Sequence, residues 1–138
     1  QITLPQYKIR TDLLEKIPPY LTNVSEVYNE NWGLSYSGNL ENLKFKINHN
    51  SLKLTGGSLC KYWNGDNIKV LNRGDTQRAI EKLSDTLHLP FEKGEVKRID
   101  IASNFLVKYD ERLYFKHLLQ SQYYSRFEQK NTLYLSTS

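Results

Sequence analysis

Asp100 occupies the middle of the most strand-like stretch of the chain, Glu95 to Lys108. With side chains alternating across a strand, Val96, Arg98, Asp100, Ala102 and Asn104 point one way, and Lys97, Ile99, Ile101, Ser103, Phe105 and Val107 the other. A carboxylate between an Arg and an Asn in mid-strand is costly unless it is paired or bound to a cation. Two chemistries fit. Arg98 and Asp100 form an ion pair that satisfies itself, or Asp100 holds or orients a divalent cation while Arg98 reaches a DNA phosphate. Glu95 is a second, weaker carboxylate ligand because it points to the other side.

A second cluster surrounds the polar turn Asn64-Gly65-Asp66-Asn67. Lys61, Lys69, Arg73 and Arg78 flank it and the helix that follows. Cations beside a helix N-terminus make a natural phosphate site, with Lys61 and Arg73 as its candidate nucleic-acid contacts. Asp75, as the expected cap of that helix, opposes an anion there. Tyr62 and Trp63 beside Lys61 either stack a base or belong to the core; Trp32 reads as core. His49 reads as a turn residue, His88 as a helix C-terminal residue favoured by the dipole, and His117 as a helix surface residue.

The elements that must position these groups follow from periodicity. Ile2 to Ile9 reads as a first strand, and Thr11 opens a short helix that Pro18-Pro19 ends. Tyr20 to Asn31 is weakly periodic, a short helix or a loop, and Trp32 to Ser37 alternates. Leu43 to Asn48 and Ser51 to Thr55 form the clearest hairpin, with Asn50 suited to a tight turn. Leu43, Phe45, Ile47, Leu52 and Leu54 take one face of it, and Lys44, Lys46 and Lys53 the other. Leu59 to Trp63 reads as a further extended piece. Asp75 is expected to cap a helix over Thr76 to Leu87, with Ala79, Ile80, Leu83 and Leu87 on one stripe and Pro90 as its stop. Asp110 is expected to cap a second helix, Glu111 to about Gln120, whose apolar surface is Leu113, Phe115, Leu118 and Leu119. Asn131 to Leu135 is a final strand. The order predicts an α+β fold, a mainly antiparallel sheet with two or three helices packed on one face and the other face open.

The 138 residues fit a single domain, 1–138, large enough to bury a core. Hydrophobic content of 38% and charged content of 25% exclude a disordered polar tract. No apolar run approaches the roughly 18–20 residues that cross a bilayer, and Gln1 to Arg10 has no signal-peptide pattern. The absence of an initiator methionine predicts that the segment begins inside a longer protein. Cys60, the single cysteine, makes no intramolecular bridge and agrees with a cytoplasmic location. The net charge of +4 is uneven: −2 through Leu43, +6 from Lys44 onward. That asymmetry fits either an ordinary solvated surface or a polyanion-binding face.

Gly57-Ser58-Leu59-Cys60-Lys61-Tyr62, Gly65-Asp66-Asn67, Leu71, Asp75, Ala79-Ile80-Glu81-Lys82-Leu83 and Arg98 to Phe105 together resemble, in order and spacing, the N-terminal region of filamentous-phage and plasmid gene II/X replication proteins. The resemblance runs from about Tyr7 to Tyr134. It implies the N-terminal part of a rolling-circle replication initiator, which nicks and rejoins one strand at an origin through a tyrosine nucleophile and a divalent metal, Mg or Mn. It implies DNA as the partner, single-stranded or as the origin duplex, in the cytoplasm of a bacterial host, with no membrane and no small-molecule substrate. The best-known rolling-circle nickases carry a His-hydrophobic-His metal motif, which His49, His88 and His117 do not form, so a metal leans on Asp100, with Glu95 behind it. The family's nucleophile is expected in a Tyr-x-Lys segment beyond Ser138, so this part by itself is expected not to nick. Two other classes stand beside this one: a non-catalytic single-strand nucleic-acid-binding module using the open sheet face, as RNA-recognition sheets do, and a structural domain whose basic surface is incidental.

Overall fold

A computed structural model of the chain describes residues 1–9, 11–103, 105–117, 125–129 and 132–136. The chain divides into two units, Gln1–Ala102 and Ser103–Ser138. The first contains a six-stranded sheet in the order β2-β3-β4-β5-β1-β6, built from β1 (Ile2–Pro5), β2 (Thr22–Asn29), β3 (Gly33–Leu40), β4 (Leu43–Asn48), β5 (Ser51–Gly56) and β6 (Glu95–Val96). All of its pairings are antiparallel. Helices α1 (Leu13–Lys16), α2 (Leu59–Asn64) and α3 (Arg73–Leu87) complete the unit. This is the α+β class expected from the sequence.

The centre of the sheet follows directly from alternation. Leu43, Phe45 and Ile47 of β4 and Leu52 and Leu54 of β5 are buried, and Lys44, Lys46 and Lys53 between them are exposed. The buried set joins Leu4, Leu13, Ile17 and Leu21 with Leu83, Leu87, Leu89 and Phe91 in one core. α3 supplies Ala79, Leu83 and Leu87, the stripe its 3.6-residue period calls for. The β4–β5 turn is held differently from expectation. Neither His49 nor Asn50 has positive φ; instead Asn48 Oδ1 accepts from the backbone N–H groups of Asn50 and Ser51 at 2.9 and 2.8 Å.

Four local readings are corrected. Tyr20 to Asn31 is neither helix nor loop but contains β2, whose eight residues are all exposed. An edge strand with water on both faces has no apolar face, so it carries no alternation to read. Trp32, in the β2–β3 turn, is 75% exposed rather than core. Leu59 to Trp63 is helical, not extended: Ser58 Oγ caps it by accepting from Lys61 N–H, and Gly65 closes it at φ 84°. One and a half turns are too few to show a helical period. α3 starts three residues earlier than expected, with Asn72 Oδ1 capping the Asp75 N–H at 2.8 Å. Asp75 instead sits in the first turn, where its carboxylate suits the helix dipole and pairs with Arg78 at 3.2 Å.

The largest departure is the strand expected over Glu95–Lys108. Only Glu95 and Val96 pair, with Thr3 and Ile2 of β1. Lys97 N–H then donates to Gln1 O at 2.9 Å, and the Gln1 amine donates to Arg98 O at 2.6 Å. Alternation states that a segment could lie on a pleated surface, but a strand also needs a partner's amides and carbonyls. Among the described residues none is ranged along 99–107. Ile101 is accordingly 91% exposed and Phe105 82%.

The second unit contains α4 (Glu111–His117) and a hairpin of β7 (Ser125–Gln129) with β8 (Thr132–Ser136). Asp110 starts α4 as expected, its Oδ1 accepting from Arg112 N–H at 2.9 Å. Leu113 of the expected apolar surface is exposed and Phe115 half-buried; Leu118, Leu119 and Gln120 lie outside the described residues. β8 is the final strand read from Asn131–Leu135, shifted by one residue. β7, its partner, was not read as a strand at all.

Candidate functional site

Arg98 and Asp100 face solvent on the stretch that follows β6. Arg98 Nε donates to Asp100 Oδ1 at 2.7 Å, with the side chains 64% and 74% exposed. The pair that the i, i+2 spacing calls for therefore exists, on unladdered backbone instead of mid-strand. An ion pair this exposed is held weakly, since water competes for both partners. Both groups are available to a ligand. Asn104, the third member of the expected row, lies outside the described residues.

Glu95 is in a different state. Its Oε1 is 3.2 Å from Lys8 Nζ and accepts from Tyr7 OH at 3.3 Å, and its Oε2 is 2.8 Å from Lys97 Nζ. The Lys97 ammonium first, and the Lys8 ammonium second, lower its pKa to about 2. The same contact raises Lys97 above the usual lysine range. Both carboxylate oxygens are thus committed to cations that a metal would have to displace. The sequence showed Lys97 next door; only the β1–β6 pairing brings Lys8 to the same carboxylate.

Among the described residues no three His, Cys, Asp or Glu side chains cluster as a metal site. Asp100 alone fits one way of holding a divalent ion. Magnesium is commonly held by one or two carboxylates, with water and substrate phosphate completing the shell. Asp100 Oδ2 makes no hydrogen bond or ion pair among the described residues. The donor set fits an ion that arrives with its phosphate, and does not fit an all-protein cage.

The cluster around Asn64–Asn67 resolves into structural parts. Asp66 Oδ1 accepts from the N–H groups of Ile68 and Lys69 at 2.9 and 3.1 Å, bonds that pull its pKa down, Lys69 first. Cys60 Sγ donates to Lys69 O at 2.9 Å, tying the turn to α2. Tyr62 is core at 2% exposure, with Lys82 Nζ 4.2 Å from its ring centroid, so it offers no face to a base. Lys61 is exposed on the last turn of α2. Arg73 borders a shallow groove whose lining includes Glu81, Asp85 and Glu92, an acidic setting for a phosphate contact.

The open face of the sheet carries Lys44, Lys46 and Lys53, which alternation along the hairpin places there, together with residues of the other strands. The registers put Ser25, Ser37, Lys46, Lys53, Thr3 and Glu95 in one cross-strand row from β2 to β6. Asn39 and Lys44 lie side by side in a neighbouring row. Asn23, Ser37, Asn39, Lys44, Lys46 and Thr55 border a shallow groove of about 270 Å³. Among the described residues Lys44, Lys46 and Lys53 make no side-chain hydrogen bond or ion pair. The signal for them is the alternation of lysines in LKFKIN and SLKLT, inside the stretch whose +6 charge fits either a solvated surface or a polyanion-binding face.

No helix among the described residues is long and apolar enough to cross a membrane. No curated protein and no solved structure matches the chain. The family of the N-terminal region of the replication-associated gene II protein matches residues 22–138, from the first residue of β2 through α2, α3, the Arg98–Asp100 pair and both strands of the second unit. With all but the first strand and the first helix inside that match, the chain belongs to the family of replication-associated gene II protein N-terminal regions.

Proposed function

We propose that the chain is the N-terminal DNA-handling part of a rolling-circle replication initiator, acting in the cytoplasm of a bacterial host. Its role is to hold one strand at an origin for metal-dependent nicking and rejoining. The observation that carries this reading is the family match across residues 22–138. The exposed Arg98–Asp100 pair supports it, because it presents a guanidinium and a carboxylate to solvent two residues apart, the chemistry that phosphate and a phosphate-bound cation require.

In this mechanism Arg98 exchanges the Asp100 carboxylate for a DNA phosphate oxygen, which its fork of donors suits. Asp100 would be the residue that holds a divalent cation, Mg or Mn. Such an ion, when bound, withdraws charge from the scissile phosphate. Glu95 stays with Lys8 and Lys97 and fixes the backbone before Arg98, where a metal would have to compete with two ammoniums. A single-strand module of the RNA-recognition kind has less support. It stacks bases on sheet aromatics, and the open-face positions of β1 to β6 hold Ser, Thr, Asn, Lys, Glu, Val, Gly and Pro instead.

The test uses the longer protein, with a supercoiled origin plasmid and added Mg or Mn. Asp100→Ala abolishes nicking and changes DNA affinity by less than about two-fold, because a lost ligand removes the ion and not the phosphate contacts. Full cleavage by that variant removes Asp100 from the mechanism. Arg98→Ala weakens DNA binding, and unchanged affinity returns the pair to a mere surface ion pair.

A further inference from the structure

We infer that the open face of the sheet is a sequence-independent seat for the phosphodiester backbone of duplex DNA, with Lys44, Lys46 and Lys53 as its contacts. This rests on the reading that the chain handles DNA, and extends it to a surface remote in sequence from Arg98 and Asp100.

The first argument is charge. Lys46 and Lys53 are direct cross-strand partners, and Lys44 follows two residues from Lys46 on the same face. Like charges set opposite each other destabilise a bare sheet. Surfaces usually relieve such pairs with a carboxylate neighbour, yet among the described residues none of these lysines has one. The carboxylate that ends their row, Glu95, is taken by Lys8 and Lys97. A polyanion supplies what the protein withholds.

The second argument is chemistry around the charges. The neighbours Ser25, Ser37 and Asn39 are short and neutral, with hydroxyl and amide donors suited to phosphate oxygens. Ser25 and Ser37 already share one hydrogen bond across the strands at 2.7 Å. The third argument selects the duplex. A single strand is gripped by stacking its bases on aromatics, and among the described residues none occupies these rows. Tyr36 lies on the opposite side of the sheet, packed against the core, as does the buried Phe45. A duplex keeps its bases inside and offers only its phosphates, which is all that lysine, serine and asparagine need.

The experiment is fluorescence anisotropy of this chain on labelled duplexes of two unrelated sequences and on a labelled single strand of each, over a series of salt concentrations. Releasing counterions from three phosphates contributes about 0.9 each to the slope of log affinity against log salt. Lys44→Ala/Lys46→Ala/Lys53→Ala therefore lowers that slope by about 2.7, which with an unchanged affinity extrapolated to 1 M salt is a fall of about 500-fold at 0.1 M salt, equally for both sequences. A charge-matched control, Lys16→Ala/Lys93→Ala/Lys116→Ala, alters affinity by less than about two-fold. The three sheet lysines are exposed and, among the described residues, unpaired; the melting curve of the triple variant, with a Lys→Gln version beside it, checks that the sheet is intact. Retained affinity and slope in the triple variant overturn the assignment. So does a loss confined to single-stranded oligonucleotides, or an equal loss in the control. Binding that survives the triple substitution but falls with Arg98→Ala sinks the sheet face alone; a wild-type chain that binds no DNA sinks the functional reading with it.

Discussion

Glu95 shows how two lysines, one near in sequence and one brought in by the β1–β6 pairing, set one titration. Its carboxylate is held near pKa 2 by the Lys97 and Lys8 ammoniums, against 4.5 unpaired. A depressed carboxylate pKa means that the folded state binds fewer protons than the unfolded one. The stabilisation is complete above about pH 4.5 and is lost as pH falls from there through 2. Urea midpoints measured between pH 6 and pH 2 are therefore expected to fall more steeply for the wild type than for Glu95→Gln. Parallel curves would show that the two ammoniums do not act on it. Arg98 and Asp100 differ in kind: being exposed, they can be replaced by alanine with no change in melting temperature. Loss of nicking or binding in those variants is then a loss of contact with DNA and not of folding.

At the scale of elements, the tight join between β5 and α2 depends on one glycine. Gly57 has φ +97°, and a Cβ there would run into Asn42 O and the Leu43 backbone. Those atoms are backbone, with no flexible side-chain end to yield. Gly57→Ala is expected to destabilise by about 2 kcal/mol or more, combining positive-φ strain with the collision. Denaturant unfolding measures it, and a loss below about 0.5 kcal/mol would mean that the β3–β4 loop moves freely. Asn72→Ala removes the cap of α3 and is expected to cost about 1 kcal/mol. Phe45, fully buried and edge-on to Phe91 at 6.3 Å, is the larger anchor. Truncating it to alanine is expected to cost about 3–5 kcal/mol.

For the whole molecule, the buried core cluster of the described residues runs from Leu4 to Phe91, inside the unit Gln1–Ala102. A truncated chain of residues 1–102 is therefore expected to unfold cooperatively, with a denaturant midpoint close to that of all 138 residues. A non-cooperative transition would show that Ser103–Ser138 contributes to this core. The truncated chain also keeps Lys44, Lys46, Lys53, Arg98 and Asp100, so it is expected to retain duplex binding if the sheet face carries it.

What the amino-acid sequence determined by itself is whatever burial writes locally. Leu43, Phe45, Ile47, Leu52 and Leu54 are apolar because the sheet's inner face is dry, and their alternation with lysines is legible without coordinates. So is the α3 stripe, and so is the closeness of Arg98 to Asp100, which needs only two residues of chain. The tertiary structure decided what depends on a distant partner. β2 has water on both faces and no pattern, and only its ladder with β3 makes it a strand. Residues 99–107 have the pattern and, among the described residues, no ladder. Lys8 reaches Glu95 across 87 residues because β1 pairs with β6. Periodicity records which side of a residue meets water; it says nothing of which backbone comes to lie alongside, and hydrogen bonding to that backbone makes the strand.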